Sequence, residues 1–238
     1  EVGWPAVTLE GGYKAYRRWV IARLEELAPR LRFVAVHGPT GTGKSRLLGA
    51  LARAGAQVLD LETLAAHHGS VLGARPQAQQ PSQKRFESLL VQALGRFDAA
   101  RPVYVEAESR RIGALQLPES LFAAMRAAEA LRLDADLTVR AQILLEDYAH
   151  LCEGDGGLVA RQLERLVALR GRERVEQWKR LAAAGAWRTL IERLLCEHYD
   201  PAYRRSAQRD YARLARARVL RVTAPGAAAF EALVGSIV

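Results

Sequence analysis

The stretch Gly38-Pro-Thr-Gly41-Thr-Gly43-Lys44-Ser45 constrains this chain more than any other feature. It fits G-x-x-x-x-G-K-[ST], follows the apolar run Arg32-Phe-Val-Ala-Val-His37, and leads into an amphipathic stretch from Lys44 to Ala54. That strand, loop and helix order is the context in which such a loop cradles phosphate. The glycines let successive backbone amides turn inward, the helix N-terminus adds its positive end, and Lys44 brings a point charge to the outer phosphate. Gly38, Thr40, Gly41, Thr42, Gly43, Lys44 and Ser45 are therefore the expected phosphate-binding residues, with the Ser45 hydroxyl the candidate ligand of a magnesium ion. A ligand bearing a diphosphate or triphosphate follows from the motif; hydrolysis does not.

Around the loop the hydrophobic pattern alternates between strand and helix. Gln57–Glu62 and Pro102–Glu106 read as a second and third strand, Leu131–Leu133 as a fourth, and Arg218–Thr223 as a closing one. Helical periodicity covers Tyr13 to Ala28, Gln83 to Phe97, Leu137 to Leu151 and a last stretch from Ala227. The expected fold is α/β, a P-loop NTPase-like parallel sheet with helices on both faces, carrying a C-terminal basic helical subdomain. The expected division is 1–30, 31–153, 154–217 and 218–238, the last closing the core begun in the second. Ala6-Val-Thr-Leu9 reads as a short strand before Gly11-Gly12, and this opening looks like the end of a preceding unit.

Four acids stand near the ends of strands neighbouring the loop: Asp60, Glu62, Glu106 and Glu108. Period-two alternation places Asp60 with Glu62, and Glu106 with Glu108, on common strand faces. Carboxylates there are costly to bury without a metal or a base, so Asp60, Glu62 and Glu106 are read as catalytic candidates, alongside His67. His67 and His68 are adjacent and point opposite ways, so one at most acts. Arg110 and Arg111 follow the third strand and are placed to clamp phosphate.

Charge supplies the second signal. The chain carries a net +9, and between Gly156 and Arg216 there are 14 lysines and arginines against 7 acids, so +7 of the excess sits there. Breaks are expected at Gly171, Gly185 and Pro201. A concentrated basic stretch is the footprint of a phosphate backbone, although an arginine-rich solvated helical surface gives the same count. No apolar run spans a membrane and no signal pattern opens the chain, which makes a cytoplasmic protein the expectation. Cys152 and Cys196 are far apart without ligand spacing, and are read as helix packing.

Taken in order and spacing, Gly38 to Leu48, Val58-Leu-Asp-Leu-Glu62, His67 to Gly73, Gln80-Pro-Ser-Gln83 with Phe86-Glu87, and Val105-Glu-Ala-Glu-Ser-Arg-Arg-Ile-Gly113 resemble the bacterial tRNA 2-selenouridine synthases. Leu9-Glu-Gly-Gly-Tyr-Lys-Ala-Tyr16 is similar to the last segment of the rhodanese-like domain that precedes the P-loop domain in that family. The resemblance implies a tRNA-modifying transferase. Geranyl diphosphate geranylates the wobble 2-thiouridine of certain tRNAs, and selenium from selenophosphate then replaces the S-geranyl group. It also implies a selenophosphate-supplying enzyme as partner, and a P-loop that holds the prenyl diphosphate. On this view Arg161, Arg165, Arg172, Arg174, Lys179, Arg204 and Arg205 grip tRNA, while Trp178, Trp187, Tyr199 and Tyr203 either stack on bases or, the stronger expectation, pack the helical core. The rhodanese-like catalytic loop with its cysteine is not in this chain, so selenium transfer is expected to need it. His68 stands where the family pattern calls for arginine.

Two other classes share these features. An ATP-dependent small-molecule or nucleoside kinase uses a similar strand, P-loop and helical insert. A nucleotide-gated RNA-binding module without catalysis is the third reading.

Overall fold

The computed structural model describes residues 10–67, 79–107, 109–152, 156–210 and 212–237, with the side chains of 206–210, 212 and 213 left aside. Helix α1 (Gly12–Leu27) runs through a short 3-10 turn at Ala28–Arg30 into the first strand, β1 (Arg32–His37). Helix α2 (Lys44–Arg53) follows, then β2 (Gln57–Leu59), α3 (Leu61–Ala65) and α4 (Gln83–Leu94). Next come β3 (Pro102–Glu106), a small hairpin of β4 (Arg111–Ile112) and β5 (Leu115–Gln116), α5 (Glu119–Ala127) and β6 (Glu129–Ala135). Helices α6 (Leu137–Asp147), α7 (Ala149–Cys152), α8 (Gly157–Glu164), α9 (Val167–Arg170), α10 (Arg172–Ala183) and α11 (Trp187–Leu194) lead into a π-helical turn, Leu195–Tyr199. The turn continues into α12 (Asp200–Asp210), and β7 (Arg218–Val222) and α13 (Ala227–Val234) complete the order.

Five strands form one sheet in the order β2-β3-β1-β6-β7, every neighbouring pair parallel. The expected parallel α/β architecture is therefore present, and period two explains why both faces are covered. Phe33 and Ala35 of β1 with Val103 and Val105 of β3 join α1, α4 and α5 on one face. Val34 and Val36 of β1, with Tyr104, Leu131, Leu133, Leu220 and Val222, join α2, α6 and α13 on the other. Central β1 is apolar on both sides for this reason. A third cluster, built around Trp178, Val175, Leu163 and Leu190, draws on α7 to α11.

Several boundaries differ from the sequence reading. The strand expected over 57–62 stops at Leu59, because Asp60 becomes the N-cap of α3. Helix 83–97 ends at Leu94, the fourth strand runs from Glu129 to Ala135 rather than three residues, and helix 137–151 breaks at Tyr148. Hairpin β4–β5 and α5 add to the expected elements, since two-residue strands have no period to read. Pro201 does not end the helix: the π-helical turn at Leu195–Tyr199 runs on through it into α12. The strand expected at Ala6–Leu9 lies outside the described residues. Cys196 is exposed rather than packed.

Candidate active site

The loop between β1 and α2 opens at the carboxyl edge of the sheet, beside the point where the chain has strands to either side of β1. Gly41 and Gly43 adopt φ of +84° and +79°, left-handed values that tolerate no side chain cheaply. Space forbids one as well: a Cβ on Gly43 would lie 2.4 Å from Cζ of Phe230, and one on Gly41 would lie 2.9 Å from the Arg140 carbonyl oxygen. Thr42 is fully buried, and its hydroxyl donates to the Pro39 carbonyl at 2.8 Å, closing the turn from within.

Lys44 donates to the Gly38 carbonyl at 3.0 Å and stands 3.4 Å from Glu106 Oε1. The Ser45 hydroxyl lies 3.3 Å from Glu62 Oε2 and 3.3 Å from Glu106 Oε2, so two carboxylates from different elements converge on it. Glu106 ends β3 opposite Val36 of β1 and is nearly fully buried. Burial pushes its carboxyl above the ordinary carboxylate range, Lys44 pulls it back, and Glu62 adds to the rise. Glu62 reaches the cluster from the first turn of α3, not from a strand face.

Other predicted residues are placed elsewhere. Both Asp60 oxygens are engaged by Thr63, one by its amide at 2.8 Å and one by its hydroxyl at 2.7 Å, as a helix cap requires. His67 closes the end of α3, its amide donating to the Glu62 carbonyl at 3.0 Å, and it does not line the cavity above the loop. Arg110 is exposed and pairs with Glu119 at 2.9 Å, and Arg111 is exposed on β4; neither lines that cavity. Glu108 and His68 lie outside the described residues. Among the seven basic residues assigned to RNA, Arg161, Arg165, Arg172, Arg174, Arg204 and Arg205 are exposed, whereas Lys179 is held between Glu164 at 3.0 Å and Glu176 at 2.8 Å. Trp178 is fully buried in the helical cluster, which settles its packing role.

Arg140 and Arg46, which the sequence did not single out, complete the site beside Tyr199 and Tyr203, which it did. A cavity of about 830 Å³ extends from the loop. Lys44, Ser45, Glu62 and Glu106 line it together with Arg46, Asp147 and His198, and Ile143, Leu144, Tyr148, Tyr199, Tyr203 and Phe230 share its wall. Arg140 of α6 is buried, donates from Nε to the Thr40 carbonyl at 2.9 Å, and forks onto Asp200 at 3.1 and 2.5 Å. Arg46 is held by Asp147, Glu146 and the Pro225 carbonyl, which raises its pKa against the opposing effect of burial. A basic residue on the buried face of an amphipathic helix was the available signal for Arg140, since such a charge requires a partner.

The motifs Gln80-Pro-Ser-Gln83 and Arg110-Arg-Ile-Gly113 meet each other rather than a ligand. Gln80 donates to the Ala65 and Ile112 carbonyls at 3.2 and 3.0 Å and accepts from the Ala114 amide at 2.9 Å. Gln83 both donates to and accepts from the Gln116 backbone, at 2.8 and 2.9 Å. The two glutamines thus clasp hairpin β4–β5 to the start of α4.

A parallel sheet with this loop between its central strand and the next helix defines the P-loop class of α/β proteins. A family model described as the tRNA 2-selenouridine synthase AAA domain matches residues 31–162. The tRNA 2-selenouridine synthase of Cupriavidus pinatubonensis is 33% identical over 246 residues, covering 90% of this chain and 64% of that protein. Its counterpart from Nitrosomonas europaea is 35% identical over 151 residues, covering 62% of this chain and 39% of that protein. The chain belongs to the tRNA 2-selenouridine synthase family, and it spans less than two thirds of the length of these two relatives. A gluconokinase from Sinorhizobium meliloti 1021 aligns at a TM-score of 0.28 and 18% identity over 75% of this chain and 98% of that one, a likeness too slight to carry an argument.

Proposed function

We propose that this chain is the prenyl-transfer and tRNA-binding part of a tRNA 2-selenouridine synthase, using geranyl diphosphate to geranylate wobble 2-thiouridine. The observation that carries the reading is the cavity over the loop, whose wall combines Lys44, Ser45, Glu62 and Glu106 with the apolar and aromatic side chains of Ile143, Leu144, Tyr148 and Phe230. A wall that mixes charged and apolar groups suits a diphosphate joined to a hydrocarbon tail better than the hydroxyl compound a kinase would phosphorylate.

In the proposed step the thiouridine sulfur attacks C1 of the geranyl group. A C–S bond forms, the C1–O bond breaks, and its electron pair leaves on the diphosphate. Lys44 and the loop amides stabilise the charge gathering on that leaving group. The base proton released on alkylation passes to a carboxylate, and Glu62 is better placed than Glu106, which is buried against Lys44. Magnesium fits the donors present: Ser45, Glu62 and Glu106 offer hard oxygens, and this ion takes few protein ligands when phosphate supplies others. When bound it would neutralise charge on the leaving diphosphate.

Conversion to 2-selenouridine with selenophosphate, fed by a selenophosphate-supplying enzyme, belongs to the complete protein. Arg161, Arg165, Arg172, Arg174, Arg204 and Arg205 are the proposed tRNA contacts, within a helical unit spanning 154–217, and Lys179, held by Glu164 and Glu176, is set apart from them.

The test is nucleoside mass analysis of tRNA bearing wobble 2-thiouridine after incubation with this chain and geranyl diphosphate. A geranyl mass gain is expected, reduced about 10²- to 10³-fold by Lys44→Ala, the scale of losing one preorganised charge-stabilising group. ATP turnover stimulated by a small hydroxyl compound, with no mass gain on tRNA, would favour the kinase reading.

A further inference from the structure

Arg140 is buried, and its side-chain hydrogen bonds reach two separate parts of the molecule. Nε donates to the Thr40 carbonyl, inside the phosphate loop, at 2.9 Å, while the two terminal nitrogens fork onto the carboxylate of Asp200, the first residue of α12. A trans peptide points its C=O and the next N–H in opposite directions. With the Thr40 carbonyl drawn toward Arg140 and α6, the Gly41 amide of the same peptide would face the opposite way, available to a bound phosphate. There is no room for a side chain between Gly41 and α6: a Cβ on Gly41 would lie 2.9 Å from the Arg140 carbonyl oxygen and 3.1 Å from Leu144 Cδ1.

The other arm of the fork ends on a helix with two dissimilar sides. One turn beyond Asp200, Tyr203 enters the phosphate cavity, where Lys44 and the Gly38 amide offset part of the rise that burial gives its pKa. Immediately after it, Arg204 and Arg205 are exposed. The π-helical turn before Asp200 puts His198 and Tyr199 on the cavity wall as well. Arg170 fixes that histidine, donating to His198 Nδ1 at 3.1 Å and to its carbonyl at 3.0 Å. A π turn of this kind is often found at functional sites.

We infer that Arg140 is a positioning residue that holds the Gly41 amide in its phosphate-binding orientation, and that through Asp200 it couples the loop to the RNA-facing arginines of α12. This rests on the proposed tRNA and diphosphate ligands. RNA docked on α12 presses Asp200 onto Arg140, Arg140 pins Thr40, and the loop amides gain affinity for diphosphate. Linkage makes the effect reciprocal, so bound diphosphate tightens RNA by the same factor.

The experiment titrates tRNA against the chain at fixed salt, with and without saturating inorganic diphosphate, and repeats it with Asp200→Asn and Arg140→Lys, each checked for folding by its melting curve. For the unaltered chain diphosphate should tighten tRNA by about 5-fold or more. Asp200→Asn keeps the side-chain volume and loses the charged fork, and should bring that factor below about 2. Arg140→Lys retains the charge but cannot serve both partners, and should also weaken diphosphate itself in the absence of RNA. A coupling factor that survives in folded Asp200→Asn, or that is missing from the unaltered chain although both ligands bind, overturns the inference and leaves the functional reading standing. No tRNA binding at all would sink both.

Discussion

His37 closes β1 immediately before the phosphate loop and is buried, with burial first and Lys44 second lowering its pKa from 6.5 to about 4. A folded-state pKa below the unfolded one means the unfolded chain binds the proton more readily, so this contribution is present above about pH 6.5 and is lost as pH falls toward 4. The shift corresponds to about 3 kcal/mol between those limits. Glu106 acts with the opposite sign: its raised pKa gives a contribution present below the ordinary carboxylate range and lost as pH rises through the raised value. Urea unfolding between pH 4 and 7 should show a His37 contribution that climbs with pH against the falling one from Glu106, and His37→Gln should remove that climbing part, worth up to about 3 kcal/mol. An unchanged slope in the variant would assign the pH dependence to other groups.

At the level of elements, the structure brings together two of the stretches on which the family resemblance rests. Gln80 bonds two carbonyls and one amide of separate segments, and Gly113, with φ of +60°, leaves the room for its side-chain oxygen. A residue whose role is to pair partly buried backbone groups leaves them unsatisfied when truncated, at a cost of about 1–3 kcal/mol. Gln80→Ala should therefore lower the melting temperature and speed amide hydrogen exchange at Ala114, while exchange in β1 keeps pace with global stability alone. Equal protection at Ala114 in both proteins would show that the hairpin is held by other contacts. The same scale explains how Glu62 reaches the site: Asp60 caps α3 and ends the strand, and the new helix turns Glu62 toward Ser45.

Across the whole molecule the basic excess and the phosphate cavity lie on adjoining elements, since the π turn and α12 form a wall of the cavity and also carry exposed arginines. Phosphate-backbone binding releases counterions, so its affinity falls steeply with salt, by an increment for each phosphate neutralised. Reversing Arg161, Arg165, Arg172 and Arg204 to glutamate should weaken tRNA at every salt concentration. The plot of log affinity against log salt should also become shallower by roughly one for each phosphate that is no longer neutralised. A slope that stays the same would remove these four residues from the interface. Lys179 is absent from that set because Glu164 and Glu176 already surround it.

What the sequence determined by itself was whatever rests on local order: the loop from Gly38 to Ser45, β1 and β3 to the residue, and a parallel sheet covered on both faces. Strand period and glycine spacing are written in consecutive residues, so they survive without knowledge of the fold. Tertiary structure decided which distant side chains converge. It sent Asp60 to a helix cap and Arg110 to Glu119, and gathered Glu62 and Glu106 on Ser45. It also joined Thr40, Arg140 and Asp200 across 160 positions of chain. The physical reason is that a buried charge takes whichever partner packing brings within hydrogen-bond reach, and that partner has no fixed distance along the chain.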